Sequence, residues 1–217
     1  MSTRTQLLDR PFTVEIVAFQ KSMLDDFRAL HSELLPVQYD DKFYRQVSTL
    51  PNYISVVAIV HHSTPTNNND NNDANNNDTK QHDATHPLRP LPIIVGVATG
   101  RVRELDSYCT TPNGYIMTLG TSKNYRGKGI GGQLLDTLIT RLREYGAVDI
   151  SLHCTTTNES AIALYHTRNF QLIERLERHY YFHDKKHDAY QFISFGERSC
   201  NSLCCRVIKW FQKLISC

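Results

Sequence analysis

A glycine-rich turn between a predicted strand and a predicted helix most constrains the fold of this chain. Residues 118–135 read TLGTSKNYRGKGIGGQLL. A strand pattern ends near Leu119, a basic glycine loop follows, and apolar residues then repeat with helical spacing from Gly129. The first backbone N–H groups of such a helix lack intrahelical partners, and its dipole is positive at that end. The turn is therefore predicted to bind an anion such as a pyrophosphate.

Strand and helix patterns alternate over most of the chain. Apolar alternation predicts seven strands, at residues 12–17, 53–60, 93–103, 115–121, 149–154, 170–177 and 189–195. Apolar residues at helical spacing predict four helices, at residues 21–34, 42–47, 129–145 and 160–168. Antiparallel strands followed by a β-α-β-α-β succession favour an α/β (α+β) domain, with a mixed sheet and helices on its faces.

The glycines of the turn also fit the fingerprint of dinucleotide-binding proteins. Gly127, Gly129 and Gly132 satisfy GxGxxG, and the acidic Asp149 follows at a suitable distance. That fingerprint is expected after the first strand of a βαβαβ unit, whereas four predicted strands lead to this one, so the match is weak. A P-loop is excluded because the sequence contains no GxxxxGK[ST].

Two segments differ in composition from the rest. Residues 67–78 hold eight Asn and three Asp, and the polar tract 61–91 around them is predicted to be a disordered insertion in a domain spanning 1–196. Residues 197–217 form a Cys-rich tail that predicts an amphipathic helix with a cationic polar face.

This tail has two open interpretations. It is too short to span a bilayer but long enough to lie in a membrane interface with Trp210 buried. Palmitoylation of Cys200, Cys204 and Cys205 would then supply a second anchor. The alternative is a helix that packs on the domain or on a partner protein.

Charge and the N-terminal sequence bear on where the protein acts. A formal net charge of +2, from 24 Lys+Arg and 22 Asp+Glu, gives no reason to expect a nucleic-acid partner. The first residues lack the apolar run of a signal peptide, and no apolar stretch is long enough to cross a membrane. We expect a cytoplasmic protein, peripheral on an intracellular membrane if the tail binds lipid.

Four motifs, in matching order, resemble one enzyme family. They are Arg126-x-x-Gly129-x-Gly131, YIMTLG at 115–120, SLHCTTTNESAIALY at 151–165 and LPVQYDDKFY at 35–44. By these motifs the chain resembles the GNAT superfamily N-terminal protein acetyltransferases, of the NatE catalytic-subunit type first and the NatF type second. The resemblance covers 12–195 without the insertion. It implies the GNAT fold: a mixed, mostly antiparallel seven-stranded sheet with a central parallel strand pair, flanked by about four helices.

The resemblance also implies the chemistry of the site. It implies acetyl-CoA as co-substrate, no metal, and direct attack by an amine in a ternary complex. Tyr115 and His153 would together act as the general base. Tyr165 would be the general acid that protonates the leaving thiolate. The residues implied to bind acetyl-CoA are Leu119, Gly120, Thr121, Arg126, Gly127, Lys128, Gly129, Ile130, Gly131, Gly132, Asn158, Ala161 and Tyr165.

The implied substrate is a protein N-terminus that begins with Met followed by an apolar or other non-small residue. An apolar pocket would accept the methionine, and a tyrosine pair would bind the peptide backbone. The residues implied to bind this substrate are Leu35, Pro36, Val37, Tyr39, Met117, Tyr180 and Tyr181.

Three other interpretations fit parts of the sequence. A non-catalytic CoA-binding scaffold, docked on a NatA-type acetyltransferase complex at the ribosome, would not need the catalytic residues, yet all are present. A lysine ε-acetyltransferase is disfavoured because no acidic general base stands at the usual strand position. His179, His183 and His187 recur every fourth residue, but the surrounding sequence favours a β-hairpin, which would scatter them rather than form a metal site.

Overall fold

A seven-stranded mixed sheet carries helices on both faces in the computed structural model, which describes residues 11–62, 92–103 and 112–196. The elements are, in order, β1 (Phe12–Ala18), a 3₁₀ turn (Lys21–Met23), α1 (Leu24–Leu34), α2 (Asp41–Thr49), β2 (Tyr53–His62), β3 (Ile93–Arg103), β4 (Asn113–Thr121), a second 3₁₀ turn (Lys123–Tyr125), α3 (Ile130–Glu144), β5 (Asp149–Thr155), α4 (Glu159–His166), β6 (Gln171–Phe182) and β7 (Lys185–Ser194).

The strands lie in the order β1-β2-β3-β4-β5-β7-β6. Every neighbouring pair is antiparallel except the central pair of β4 and β5. This confirms the predicted mixed sheet with a central parallel pair and four flanking helices. The tail predicted to be an amphipathic helix lies outside the described residues, as does most of the insertion.

The helices begin and end close to where their sequences predict. The Asp40 side chain caps α2 by accepting a hydrogen bond of 2.9 Å from the Phe43 backbone N–H. In α3 the predicted apolar stripe faces the sheet, and Leu134, Leu135 and Leu138 are fully buried. Burying a leucine contributes about 1.5–3 kcal/mol, so α3 is a main attachment of the helices to the sheet.

Two hydrophobic cores lie on opposite faces of the sheet. Neighbouring strand residues alternate between faces, so Val56 packs in the core under α3 and α4 whereas Val57 packs in the core under α1 and α2. Helices α3 and α4 therefore cover one face and α1 and α2 cover the other.

The central parallel pair comes apart along its length. β4 pairs with β5 from Asn113 only as far as Ile116, whereas on its other edge it stays paired with β3 up to Thr121. A β-bulge in β4 leaves Met117 without a partner in the register with β3. After Ile116 a gap therefore opens between β4 and β5.

The terminal hairpin is longer than predicted. β6 continues to Phe182 and β7 begins at Lys185, so both strands extend beyond the predicted bounds of 170–177 and 189–195. His183 and Asp184 have φ of 50° and 56°, which fits a two-residue turn of type I′. The hairpin arms are mostly solvent-exposed and polar, so they lack the apolar alternation that marks the inner parts of both strands.

The predicted start of the insertion needs a smaller correction. His61 and His62 belong to β2, so the strand continues into the tract predicted to be disordered from residue 61. His62 is buried, and its Nε2 lies 3.2 Å from the Tyr125 hydroxyl oxygen. A histidine can be buried in a strand when one of its ring nitrogens has a hydrogen-bond partner. The polar composition of the tract does not reveal such a residue.

Candidate active site

The gap between β4 and β5 opens into a cavity of about 140 Å³. Its walls come from the connection between α1 and α2, from the separated ends of β4 and β5, from the start of α4, and from β6. The lining residues are Leu35, Pro36, Val37, Tyr39, Ile116, Met117, Thr118, Leu119, Leu152, His153, Cys154, Thr155, Asn158, Tyr165, Tyr180 and Phe182. Many of the residues predicted to bind or react thus lie around one cavity.

The parallel strand pair brings Tyr115 and His153 together. Tyr115 on β4 is the register partner of Ser151, and His153 lies two residues further on the same face of β5. The Tyr115 hydroxyl oxygen is 3.0 Å from His153 Nδ1. Tyr115 does not line the cavity itself and reaches it through His153.

Burial keeps both members of this pair uncharged at neutral pH. It lowers the pKa of His153 to about 4, and the positive charges of His179 and Arg103 add to this effect. Burial also raises the pKa of the Tyr115 hydroxyl. Tyr115 and His153 are therefore a neutral, hydrogen-bonded pair that can pass a proton between them.

Strand β6 holds His153 from the other side. The Tyr180 hydroxyl donates a hydrogen bond of 3.1 Å to the His153 carbonyl oxygen. The ring of His179 stacks on the His153 imidazole, with centroids 4.6 Å apart and planes 27° apart. Burial raises the pKa of Tyr180, so this hydroxyl stays a donor.

The connection between α1 and α2 supplies an apolar wall. Leu35, Pro36 and Val37 line the cavity, and the Tyr39 hydroxyl lies 3.4 Å from the carbonyl oxygen of Met117. Burial raises the pKa of Tyr39 to about 12, so the hydroxyl is protonated and donates to Met117. The connection is thereby tied to the bulged residue of β4.

Tyr165 and Cys154 also line the cavity, and both are buried. The Tyr165 ring is buried between Phe170 and Phe192, and burial raises the pKa of its hydroxyl. Burial also raises the pKa of the Cys154 thiol, to about 11. A thiol that stays protonated is a poor nucleophile, whereas a protonated phenol is a competent proton donor.

The glycine-rich turn leads into α3 with an open backbone. Gly127 and Gly129 have φ of 73° and 78°, and a Cβ at either position would meet nothing within 4 Å. Arg126 Nε donates to the Thr121 carbonyl oxygen at 3.0 Å, which fixes the loop to the end of β4. The turn thus presents exposed backbone at the N-terminus of a fifteen-residue helix, as an anion-binding loop requires.

Other predicted cofactor residues have structural roles as well. Asn158 caps α4, where its side-chain oxygen accepts from the Ala161 N–H at 3.2 Å. The Ile130 side chain is in the core, so only its backbone can face a ligand. Gly132 lies so close to the Arg168 guanidinium that a Cβ at this position would clash with it. Gly120 likewise packs against Leu34 of α1, where a Cβ would be only 3.0 Å from the leucine side chain.

Tyr181 lies away from the cavity. Its side chain is 66% exposed, and its hydroxyl is 3.5 Å from Asp184 Oδ1. Neighbouring residues of a strand face opposite sides, so Tyr180 and Tyr181 cannot both point into the gap. A contact between Tyr181 and a peptide stays a prediction.

Two residues near the site carry weak or no signals in the sequence. His31 of α1 is buried, and its Nε2 lies 3.0 Å from the hydroxyl of Thr118, a cavity residue. Its only signal is a histidine in the apolar stripe that includes Phe27 and Leu30. Arg103, whose guanidinium carbon is 4.8 Å from the Tyr115 ring centroid, has no such signal.

Other features of the described residues bear on what the site can hold. No group of three or more His, Cys, Asp or Glu side chains within 11–62, 92–103 and 112–196 is arranged to bind a metal. In the same ranges no helix is both long and apolar enough to cross a membrane. A larger open groove of about 920 Å³ beside α3 contains none of the predicted catalytic residues.

Comparisons with known proteins agree with this geometry. The model of the acetyltransferase (GNAT) family matches residues 64–170. N-alpha-acetyltransferase 60 of Xenopus tropicalis is 25% identical over 175 residues, which cover 79% of this chain and 65% of the relative, slightly less than two thirds of its length. N-alpha-acetyltransferase 50 of Danio rerio is 29% identical over 159 residues, which cover 72% of this chain and 74% of the relative.

The fold also matches nearly the full length of a solved structure. The crystal structure of Arabidopsis thaliana NAA60 in complex with a bisubstrate analogue has a TM-score of 0.65 and 20% identity, and it covers 85% of this chain and 99% of that chain. Residues 64–170 of this chain are thus similar to the GNAT acetyltransferases, and both the relatives and the fold agree with that match.

Proposed function

We propose that the protein is an acetyl-CoA-dependent N-terminal protein acetyltransferase. The observation that carries the proposal is the Tyr115–His153 pair, which meets an apolar-walled cavity in the gap between β4 and β5. A proton acceptor in a cavity with one apolar wall suits an α-amine carried by an apolar first residue. The relatives named as N-alpha-acetyltransferases support the same activity.

The residues around the gap fit acetyl-CoA. The open backbone at Gly127 and Gly129 suits the pyrophosphate, with Arg126 and Lys128 as nearby cations. Beyond Ile116, the edge of β4 that faces β5 has no strand partner, so its backbone groups are available to the amides of an extended arm. Acetyl-CoA, when bound, would supply the acetyl thioester.

In the proposed reaction, His153 accepts the proton of the attacking amine. In the tautomer with its proton on Nδ1, His153 donates to the Tyr115 oxygen and leaves Nε2 free as acceptor. The low pKa of His153 keeps that nitrogen unprotonated, and the Tyr115 oxygen stabilises the imidazolium as it forms. Tyr165 is the proposed donor to the departing sulfur, since burial keeps its hydroxyl protonated.

The proposed substrate is an N-terminus that begins with Met and an apolar or other non-small residue. The wall formed by Leu35, Pro36 and Val37 suits the methionine side chain. The relative named N-alpha-acetyltransferase 60 favours the NatF type, and the one named N-alpha-acetyltransferase 50 favours the NatE type. A NatA-type partner complex, and membrane contact through residues 197–217, stay predictions from the sequence.

A matched pair of peptides tests the proposed activity. We expect the full chain to transfer acetyl from acetyl-CoA to a Met-Leu peptide with a free N-terminus, measured by mass spectrometry. The same peptide with a blocked N-terminus and one internal lysine should stay unmodified. Acetylation of the blocked peptide would identify a lysine acetyltransferase instead. Binding of acetyl-CoA without turnover on any N-terminus would identify a scaffold.

Two glycines of similar conformation test the anion-binding turn. Gly129→Ala should raise the KM for acetyl-CoA by about tenfold, because a Cβ at φ 78° strains the turn by about 1–2 kcal/mol and adds a methyl group where the phosphates would lie. Gly146→Ala is the control, since φ is 94° there and the site is beyond the far end of α3. Steady-state kinetics should give an unchanged KM for Gly146→Ala, and equal effects of both changes would contradict the assignment.

A further inference from the structure

Positive groups gather on one side of the candidate site. Arg101 and Arg103 lie two residues apart on β3 and so face the same side of the sheet as Tyr115, the register partner of Arg101. Among the described residues, neither arginine forms an ion pair with a carboxylate. This side of the cleft therefore carries positive charge that the described residues leave unbalanced.

Arg101 has a donor without an acceptor. Its neighbours across the sheet are Tyr53 on β2 and Tyr115 on β4. The Arg101 Nε atom is buried and has no hydrogen-bond partner among the described residues. Leaving a buried charged donor unpaired is costly, so such a group is normally matched by an acceptor from elsewhere.

Arg103 reaches the same region from the exposed end of β3. Its guanidinium lies over the Tyr115 ring, 4.8 Å from the centroid. A guanidinium stacked on a ring keeps its in-plane N–H groups free, and those groups match the two oxygens of a carboxylate. The two arginines thus present carboxylate-binding donors next to the Tyr115–His153 pair.

We propose that Arg103, supported by Arg101, binds an acidic side chain near the start of the substrate peptide. The inference rests on the proposed function, because it assumes that the α-amine lies at His153. The Tyr115 side chain lies between His153 and Arg103. Its hydroxyl is 3.0 Å from His153 Nδ1, and the Arg103 guanidinium lies over its ring, so the two groups are separated by about the size of one tyrosine side chain. An extended peptide advances about 3.3 Å per residue, so the carboxylate belongs to the second, third or fourth residue. The preferred substrates are N-termini with an early Asp or Glu.

The position of this subsite separates it from the apolar wall. The α1–α2 connection contacts the Met117 end of the gap through Tyr39. Arg103 instead lies opposite Asn113, at the start of β4. The first side chain of the peptide and the acidic one would therefore lie on different walls of the cleft, so each preference can be measured independently.

The test is a set of Met-Leu peptides that differ only in charge at residues three and four. The full chain should acetylate the Asp-Glu peptide with a kcat/KM about three- to tenfold above that of the Lys-Lys peptide, with the Gln-Gln peptide between them. Arg103→Gln should abolish the difference, and Arg103→Glu should invert it. Raising the ionic strength should reduce the preference in the wild-type protein.

The control variant is Arg141→Gln. Arg141 is an exposed arginine on α3 that pairs with Glu144, so removing its charge should leave the peptide preference unchanged. Binding of a fluorescently labelled Asp-Glu peptide in the presence of CoA gives a second readout, and Arg103→Gln should weaken it by a similar factor. This readout does not depend on turnover.

The outcomes separate this inference from the proposed function. If no free N-terminus is acetylated, the proposed function fails and the subsite fails with it. If all three peptides are acetylated equally well, the function stands and the subsite is refuted. The next acidic residues in the sequence, Glu104 and Asp106, lie outside the described residues, and pairing of the arginines with them would give that equal result.

Discussion

Replacing His153 with alanine is expected to lower kcat for N-terminal acetylation by about 10²- to 10⁴-fold, the usual contribution of a general base. His153 is the only described imidazole that both lines the cavity and lies within hydrogen-bond distance of Tyr115. Tyr115→Phe removes the hydroxyl that orients and stabilises it, and should cost a smaller factor. The double variant should be little worse than His153→Ala, because groups that act as a unit are not additive. Steady-state rates on one Met-Leu peptide measure all three.

The pH dependence of kcat provides an independent check on this role. With a pKa of about 4, His153 stays neutral from pH 8 down to about pH 5, so kcat should be flat over that range. A fall in kcat/KM below pH 8 would then reflect protonation of the substrate amine. Near-wild-type rates for both single variants would contradict the assignment, whereas a loss of kcat near pH 6.5 that disappears in His153→Gln would contradict the lowered pKa of His153.

Acid should destabilise the folded protein through His31. Burial lowers its pKa from 6.5 to about 4, so the folded state excludes a proton that the unfolded state accepts. The contribution is absent above pH 6.5, grows as the pH falls, and levels off below pH 4 at a loss of about 3 kcal/mol in the free energy of unfolding. Urea unfolding followed by circular dichroism at several pH values measures it.

His31→Phe should remove most of that pH dependence. The ring sits among Phe27, Tyr39, Phe43 and Tyr44, so a phenyl group can replace the imidazole, although the contact with Thr118 is lost. We expect a cost of about 1 kcal/mol at pH 7.5 and a net gain relative to wild type at pH 4.5. The control is His61→Phe, since His61 is exposed, and an unchanged slope in His31→Phe would refute the prediction.

Local patterns are sufficient to predict the elements but not the geometry between them. The stripe of Leu134, Leu135 and Leu138 predicts α3 because burial of one helical face leaves a period in the sequence. The separation of β4 from β5 after Ile116 leaves no such period, because it depends on pairing between distant strands. The exposed arms of the β6–β7 hairpin escape prediction since neither face of them is consistently apolar.

The candidate site divides in the same way. Tyr115, His153 and Tyr165 lie in motifs, so resemblance to a family is enough to point to them. Arg101 and Arg103 lie in no motif, and their significance comes from what surrounds them, a tyrosine ring and an unfilled donor. An isolated arginine in a strand is ordinarily solvated, and only the cross-strand neighbours reveal that one nitrogen is buried.

The gap between β4 and β5 has a consequence for the order of substrate binding. The glycine-rich turn leads into α3 on one face of the sheet, and the α1–α2 connection lies on the other, so we expect the two proposed substrates to enter from opposite faces and meet between the strands. Neither has to leave before the other binds. Plots of reciprocal initial rate at several fixed peptide concentrations should therefore intersect instead of running parallel. Free CoA should compete with acetyl-CoA but not with the peptide.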